Sequence, residues 1–218
     1  MFNLGTGIRW FFDILFSFIF EREKISLEKL QEISANSQKI RELSTSEISP
    51  FIYCVPYSEP YVRTSMWSYK FRNNKSISTV FGQIVSNEMK LNISKWNIRG
   101  FDSPILVTVP SSKESNVRRG YDSNHEILKI ISRDVGIKYI SHVFSKKSGV
   151  PKQSRTKSRA ERLVNPQGAF VLMKPEVVKN KNIILFDDVL TTGATIREIS
   201  RLLDQAGAQE IKVVVLAH

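Results

Sequence analysis

The chain has 218 residues, 32 Lys and Arg against 21 Asp and Glu, a formal net charge of +11 and one cysteine. That length suits one domain with an N-terminal appendage, and the charge points to anionic partners. One cysteine excludes a disulfide framework and any zinc site built from four thiolates.

In chain order, Ile8 to Phe20 (IRWFFDILFSFIF) comes first, an apolar segment interrupted by Asp13. It is shorter than the about 20 apolar residues that span a bilayer, and it lacks the basic lead and small-residue cleavage site of a signal peptide. A helix docked on the protein is therefore favoured over a peripheral membrane anchor through 8–20. The next stretch, SLEKLQEISANSQKIREL, places Leu27, Leu30, Ile33 and Ile40 at near-helical spacing among charges. This predicts an amphipathic helix that covers a hydrophobic face or a second subunit, so an oligomer stays open. Residues 1–50 are read as a helical appendage and 51–218 as the main domain. With no export signal, the simplest location is cytoplasmic.

FIYCV, at 51–55, reads as a strand, and Cys54 within it as a buried small hydrophobe rather than a nucleophile. Runs at Ile105–Val109, Ile183–Phe186 and Ile211–Leu216 read as further strands, alternating with helical stretches near 75–93, 120–133 and 195–206. That alternation predicts an α/β fold with a mostly parallel sheet flanked by helices. Lys113, Arg118 and Arg119 follow the Val109-Pro110 bend at one strand end. His125 and His142 fall in no recognised motif and read as surface or structural. Between Lys146 and Arg162, the cations Lys146, Lys147, Lys152, Arg155, Lys157, Arg159 and Arg162 face one acid, Glu161. This basic loop suits closure over a polyphosphate, or the backbone of a nucleic acid without sequence preference.

Ile183 to Thr195, IILFDDVLTTGAT, carries the most chemistry. Four apolar residues predict a strand buried on both faces, with Asp187 and Asp188 emerging at its carboxyl end, where ligands sit in open α/β sheets. Vicinal carboxylates suit vicinal hydroxyls. Thr191, Thr192, Gly193 and Thr195 then precede a helix whose N–H groups favour a phosphate. Together they describe a site for a ribose 5-phosphate. Neither G-x-x-x-x-G-K-[ST] nor G-x-G-x-x-G is present.

FDDVLTTGAT resembles the motif with which type I phosphoribosyltransferases bind phosphoribosyl pyrophosphate (PRPP). Further stretches resemble the ComF family, phosphoribosyltransferase-like proteins associated with DNA uptake in competent bacteria. They are ILVTVPSSKESNVRRGYDSNHEIL, through Arg118, Arg119, Gly120 and Tyr121; Gln153 with Arg159, Arg162, Asn165 and Gly168-Ala169-Phe170; the ending AGAQEIKVVVLAH; and Tyr69-Lys70-Phe71. The resemblance runs from about Phe51 to His218. Many family members carry an N-terminal zinc module of paired CxxC elements, which this chain, with Cys54 alone, cannot build.

The resemblance implies a type I phosphoribosyltransferase-like, Rossmann-like fold. It implies that Asp187 and Asp188 hold the ribose hydroxyls, and that the stretch Val189, Leu190, Thr191, Thr192, Gly193, Ala194 and Thr195 completes the ribose and 5′-phosphate site. Lys113, Arg118, Arg119, Lys152 and Arg162 would take the pyrophosphate. Arg155 and Arg159 would join Asp187 and Asp188 in catalysis, and Mg²⁺ would arrive with PRPP rather than on direct protein ligands. The implied reaction is substitution at C1 of PRPP by an amine or ring nitrogen. Thr191 stands where purine-salvage enzymes carry an acid, which disfavours a purine acceptor. The alternative is a non-catalytic PRPP- or nucleotide-binding module that acts in DNA uptake by contacting single-stranded DNA or competence proteins.

Overall fold

The computed structural model describes residues 21–35, 51–98, 100–110, 122–147 and 168–218. Residues 21–35 are helical (α1). They are followed by β1 (Phe51–Val55), α2 (Pro60–Arg72), α3 (Lys75–Ile98), β2 (Ile105–Thr108), α4 (Ser123–Val135) and β3 (Lys138–Tyr139). The remaining elements are β4 (Phe144–Lys146), β5 (Phe170–Leu172), α5 (Pro175–Val178), β6 (Asn182–Val189), α6 (Ala194–Gln205) and β7 (Glu210–Ala217).

Five strands form a sheet in the order β1-β7-β6-β2-β3, every neighbouring pair parallel. β6 lies at its centre, and Ile183 to Phe186 are fully buried, as the unbroken apolar run predicts. Side chains alternate between two cores. Ile184, Phe186, Val214 and Leu216 pack with Val62, Met66 and Tyr69 of α2, Phe81 and Ile84 of α3, and Ile127 and Ile131 of α4. Ile183, Leu185, Val213 and Val215 face the other way, against Ile196, Ile199 and Leu203 of α6 and Phe144 and Phe170 of the antiparallel β4–β5 ribbon.

This two-sided arrangement places a switch in the chain's path. From β2 the chain leaves through α4 on one face to reach β3, whereas from β6 it leaves through α6 on the opposite face to reach β7. The connections diverge between β2 and β6, which opens a crevice beyond their carboxyl ends.

Helix α1 uses Leu30 and Ile33 in the first core, the face its periodicity predicts. Its flanks are tied by an Arg72–Glu23 ion pair at 3.0 Å and by Asn87 Nδ2, which donates to Ser34 O at 3.1 Å. Ile40 and the apolar segment 8–20 lie outside the described residues, and no described helix is long and apolar enough to cross a membrane. Helices α3 and α4 touch at Gly82, where a Cβ would lie 2.7 Å from Ile130 Cγ2, so only glycine permits that approach.

Several boundaries differ from the sequence expectation. Helix α3 runs on to Ile98. Helix α4 starts at Ser123, where the Asp122 side chain accepts from the Asn124 amide, and ends at Gly136 with φ +75°. Strand β6 runs to Val189 because its ladder with β7 continues past the apolar residues, pairing Asp187 with Val215 and Val189 with Ala217.

Candidate functional site

The two acids therefore occupy the last turn of the β6 ladder rather than the loop beyond it. The Asp187 carboxylate accepts from the Asp188 amide at 2.9 Å, and Asp188 Oδ1 takes the Lys70 ammonium at 2.9 Å. Burial, and then the Asp188 carboxylate, push the Asp187 carboxyl up to about 7, while the Asp188 amide and Lys70 pull it down. Asp187 thus gives up its proton less readily than an ordinary carboxyl group.

Leu190 closes the strand by donating its amide to Ala217 O at 2.9 Å. His218 stands beside this turn, its ring stacked on Tyr53 at 4.7 Å and its Nδ1 3.3 Å from Leu190 O. The chain then turns through exposed Thr191 and Thr192 to Gly193, whose φ of +70° starts α6 at Ala194. No side chain of the N-cap residue satisfies the first-turn amides, and Thr192 Oγ1 makes only a long 3.4 Å contact with the Ala194 amide. Helix starts of this kind hold anions.

Across the crevice, the Val109 amide donates to Phe186 O at 3.0 Å, which docks the end of β2 on the residue before the acids. A buried relay supports this junction. The Tyr69 hydroxyl donates to Asn124 Oδ1 at 2.7 Å, and Asn124 Nδ2 donates to Thr108 Oγ1 at 3.4 Å. Lys113, Arg118 and Arg119 lie outside the described residues, between Pro110 and Asp122.

Lys152, Arg155, Arg159 and Arg162 also lie outside the described residues, in 148–167. Both ends of that segment are anchored. Lys146 pairs with Phe170 in the ribbon, the Lys147 amide donates to Ala169 O at 2.9 Å, and the Gly168 amide donates to Glu198 Oε1 at 2.8 Å. Glu198, only 3% exposed, is gripped on both oxygens by Arg201, at 2.9 and 3.0 Å.

Lys70 and Glu198 have no site role in the sequence reading. Lys70 enters there only within Tyr69-Lys70-Phe71, and Glu198 does not enter it. Both contacts span too much sequence for local spacing to reveal. Cys54 is fully buried, and burial followed by Glu88 raises its thiol pKa well above the ordinary value, which suits packing and not nucleophilic attack. His125 pairs with the Tyr139 hydroxyl at 3.1 Å, away from the acids in the ladder, and burial lowers its pKa.

The family model described as "Phosphoribosyl transferase domain" matches residues 117–218. Competence protein ComFC of Streptococcus pneumoniae is 30% identical over 150 residues, 69% of this chain and 60% of that protein. Competence protein F of Haemophilus influenzae is 34% identical over 117 residues, 52% of this chain and 49% of that protein. DNA utilization protein YhgH of Escherichia coli O157:H7 is 29% identical over 113 residues, 52% of this chain and 48% of that protein. The chain thus spans between about half and 60% of the length of these relatives. Among solved structures, glutamine PRPP amidotransferase from B. subtilis aligns with 68% of this chain and 30% of its own, at 19% identity and a TM-score of 0.43. Hypoxanthine phosphoribosyltransferase from Trypanosoma cruzi aligns with 65% of each chain, at 11% identity and a TM-score of 0.43.

A parallel sheet with a switch between β2 and β6, and a matched domain that includes the acid pair and the turn after it, define a phosphoribosyltransferase-like protein. The named relatives make the assignment narrower. The chain belongs to the ComF family, whose members here include competence proteins.

Proposed function

We propose that the protein binds Mg²⁺-PRPP and transfers its phosphoribosyl group to a nitrogen acceptor that the sequence does not identify. The observation that carries this reading is the succession of Asp187, Asp188 and the uncapped start of α6 at the switch crevice, a diol acceptor a few residues from a phosphate cradle. The two carboxylates would accept from the ribose hydroxyls, and Thr191 to Thr195 would hold the 5′-phosphate through amides and hydroxyls. Mg²⁺ would arrive with PRPP rather than on direct protein ligands, and the ion would supply charge neutralisation on the pyrophosphate.

Lys113, Arg118, Arg119, Lys152 and Arg162 would bind the pyrophosphate, and Arg155 and Arg159 would stabilise the charge it gains as it departs. The C1–O bond breaks with its electron pair leaving on pyrophosphate, the acceptor nitrogen bonds to C1, and its proton passes to solvent. Positioning and electrostatics account for the acceleration.

The test is calorimetric titration of Mg²⁺-PRPP, paired with pyrophosphate release over a panel of amines and nucleobases. The wild type is expected to bind and release, and Asp187→Asn with Asp188→Asn to lose binding. Equal affinity in the double variant would remove the site assignment.

A second reading, a non-catalytic module that contacts single-stranded DNA, is favoured by one observation on α2. Trp67 and Phe71 are 46% and 50% exposed, their rings are 6.1 Å apart, and the Arg72 guanidinium lies 5.4 Å from the Trp67 ring. Exposed aromatics among cations suit stacked bases.

A further inference from the structure

Lys70 reaches the acid pair from outside the matched domain, which starts at residue 117. Its Nζ lies 2.9 Å from Asp188 Oδ1, with 27% of the lysine side chain and 16% of the aspartate exposed. Holding a lysine in one geometry costs rotamer entropy, and pairs in open water recover little of it. Here the backbone beneath is already fixed. Tyr69 is fully buried, hydrogen-bonded to Asn124 and set edge-on to Phe81 at 5.8 Å, and Val62 and Met66 bury the preceding turns of α2. The ammonium also belongs to the last turn of its helix, where the carbonyl ends favour a cation.

The acids need such a partner. Adjacent carboxylates at a partly buried sheet edge disfavour each other's ionised form. Among the described residues, the charged groups that bear on Asp187 are Asp188 on its own strand and Lys70 from α2, while β7 offers the apolar Val215 at the paired position. We propose that Lys70 is a positioning residue of this site: its ammonium fixes the Asp188 carboxylate for a ribose hydroxyl and supplies the counter-charge that lets both acids face one diol. The proposal rests on the phosphoribosyl reading of the site and adds to it a residue from a separate part of the chain.

The experiment compares wild type, Lys70→Met and Lys70→Arg in two measurements: carboxyl-carbon NMR titration of Asp187 without ligand, and calorimetry with Mg²⁺-PRPP. In Lys70→Met the Asp187 midpoint should rise, because a lowering influence is gone, and affinity should fall about tenfold or more. Lys70→Arg should restore most of both, which a merely structural role would not predict. An unmoved Asp187 midpoint in Lys70→Met overturns the counter-charge. Equal PRPP binding by wild type and Lys70→Met overturns the positioning role alone. Failure of the wild type to bind overturns the phosphoribosyl reading, and the diol role with it.

Discussion

Glu198 accepts the Gly168 amide at 2.8 Å, so the helix that begins after the Thr191–Gly193 turn also holds the foot of the β4–β5 ribbon. The contact spans 30 residues, and both ends of the basic segment 148–167 are thereby set against α6 and the ribbon.

Glu198→Ala removes this bond and both Arg201 bonds, and the freed donors of exposed Gly168 and partly exposed Arg201 can turn to water. A loss of about 0.5–1.5 kcal/mol in denaturant unfolding is expected. The Arg201 hydrogen bond, and then the Gly168 amide, hold the Glu198 carboxyl below its ordinary range. Its contribution is therefore present above the unfolded carboxyl range and lost as pH falls through the folded value. The stability gap between wild type and Glu198→Gln should shrink on acidification; a gap that is flat from neutral to acid pH would remove the charge from the argument.

What the sequence made legible follows from periodicity and from local motifs. Ile183 to Phe186 announced a strand buried on both faces because four successive apolar side chains must cover two cores, and Leu30 and Ile33 announced the buried side of α1. The acid pair and the Thr191–Thr195 turn were legible because their chemistry is contiguous. The end of β6 was misplaced because a parallel ladder can carry aspartates when its partner, β7, stays apolar. The ribbon was missed because β4 and β5 are three residues each and show no alternation long enough to read. Lys70 and the Tyr69–Asn124 relay were beyond reach for a different reason, since their partners lie 118 and 55 residues away.

Gly193 adopts φ +70° at the start of α6, where an L side chain is strained. A Cβ there would lie 3.2 Å from Arg197 Nη1, the movable tip of a long side chain, so the strain is in the backbone rather than in a clash. Gly193→Ala should cost about 1–2 kcal/mol of stability. If the turn holds the 5′-phosphate, ribose 5-phosphate affinity should fall as well, and Gly193→Asn, which tolerates the left-handed region better, should retain more of it. Wild-type affinity for ribose 5-phosphate in a folded Gly193→Ala would remove this turn from the site.

The aromatic pair on α2 separates the two functional readings. Val62, Met66 and Tyr69 bury one side of that helix, while Arg63, Trp67 and Phe71 line the exposed side at four-residue spacing. The fold does not require two large rings there, so Trp67→Ala with Phe71→Ala should leave most of the stability in place, losing about 0.5–1 kcal/mol with the Arg72 contact to Trp67. If single-stranded DNA stacks on these rings, each base lost should cost about 1–3 kcal/mol of binding, while the salt dependence set by phosphate contacts persists. Titration with oligo-dT should quench tryptophan fluorescence in Trp10→Phe but not in Trp10→Phe with Trp67→Phe, because the one tryptophan then left, Trp96, is packed against Phe101. Binding that ignores the aromatic pair but vanishes when the cations of 146–162 are neutralised would place the strand on the basic segment instead. No mobility shift even at low salt would remove direct DNA contact and leave the transferase reading alone.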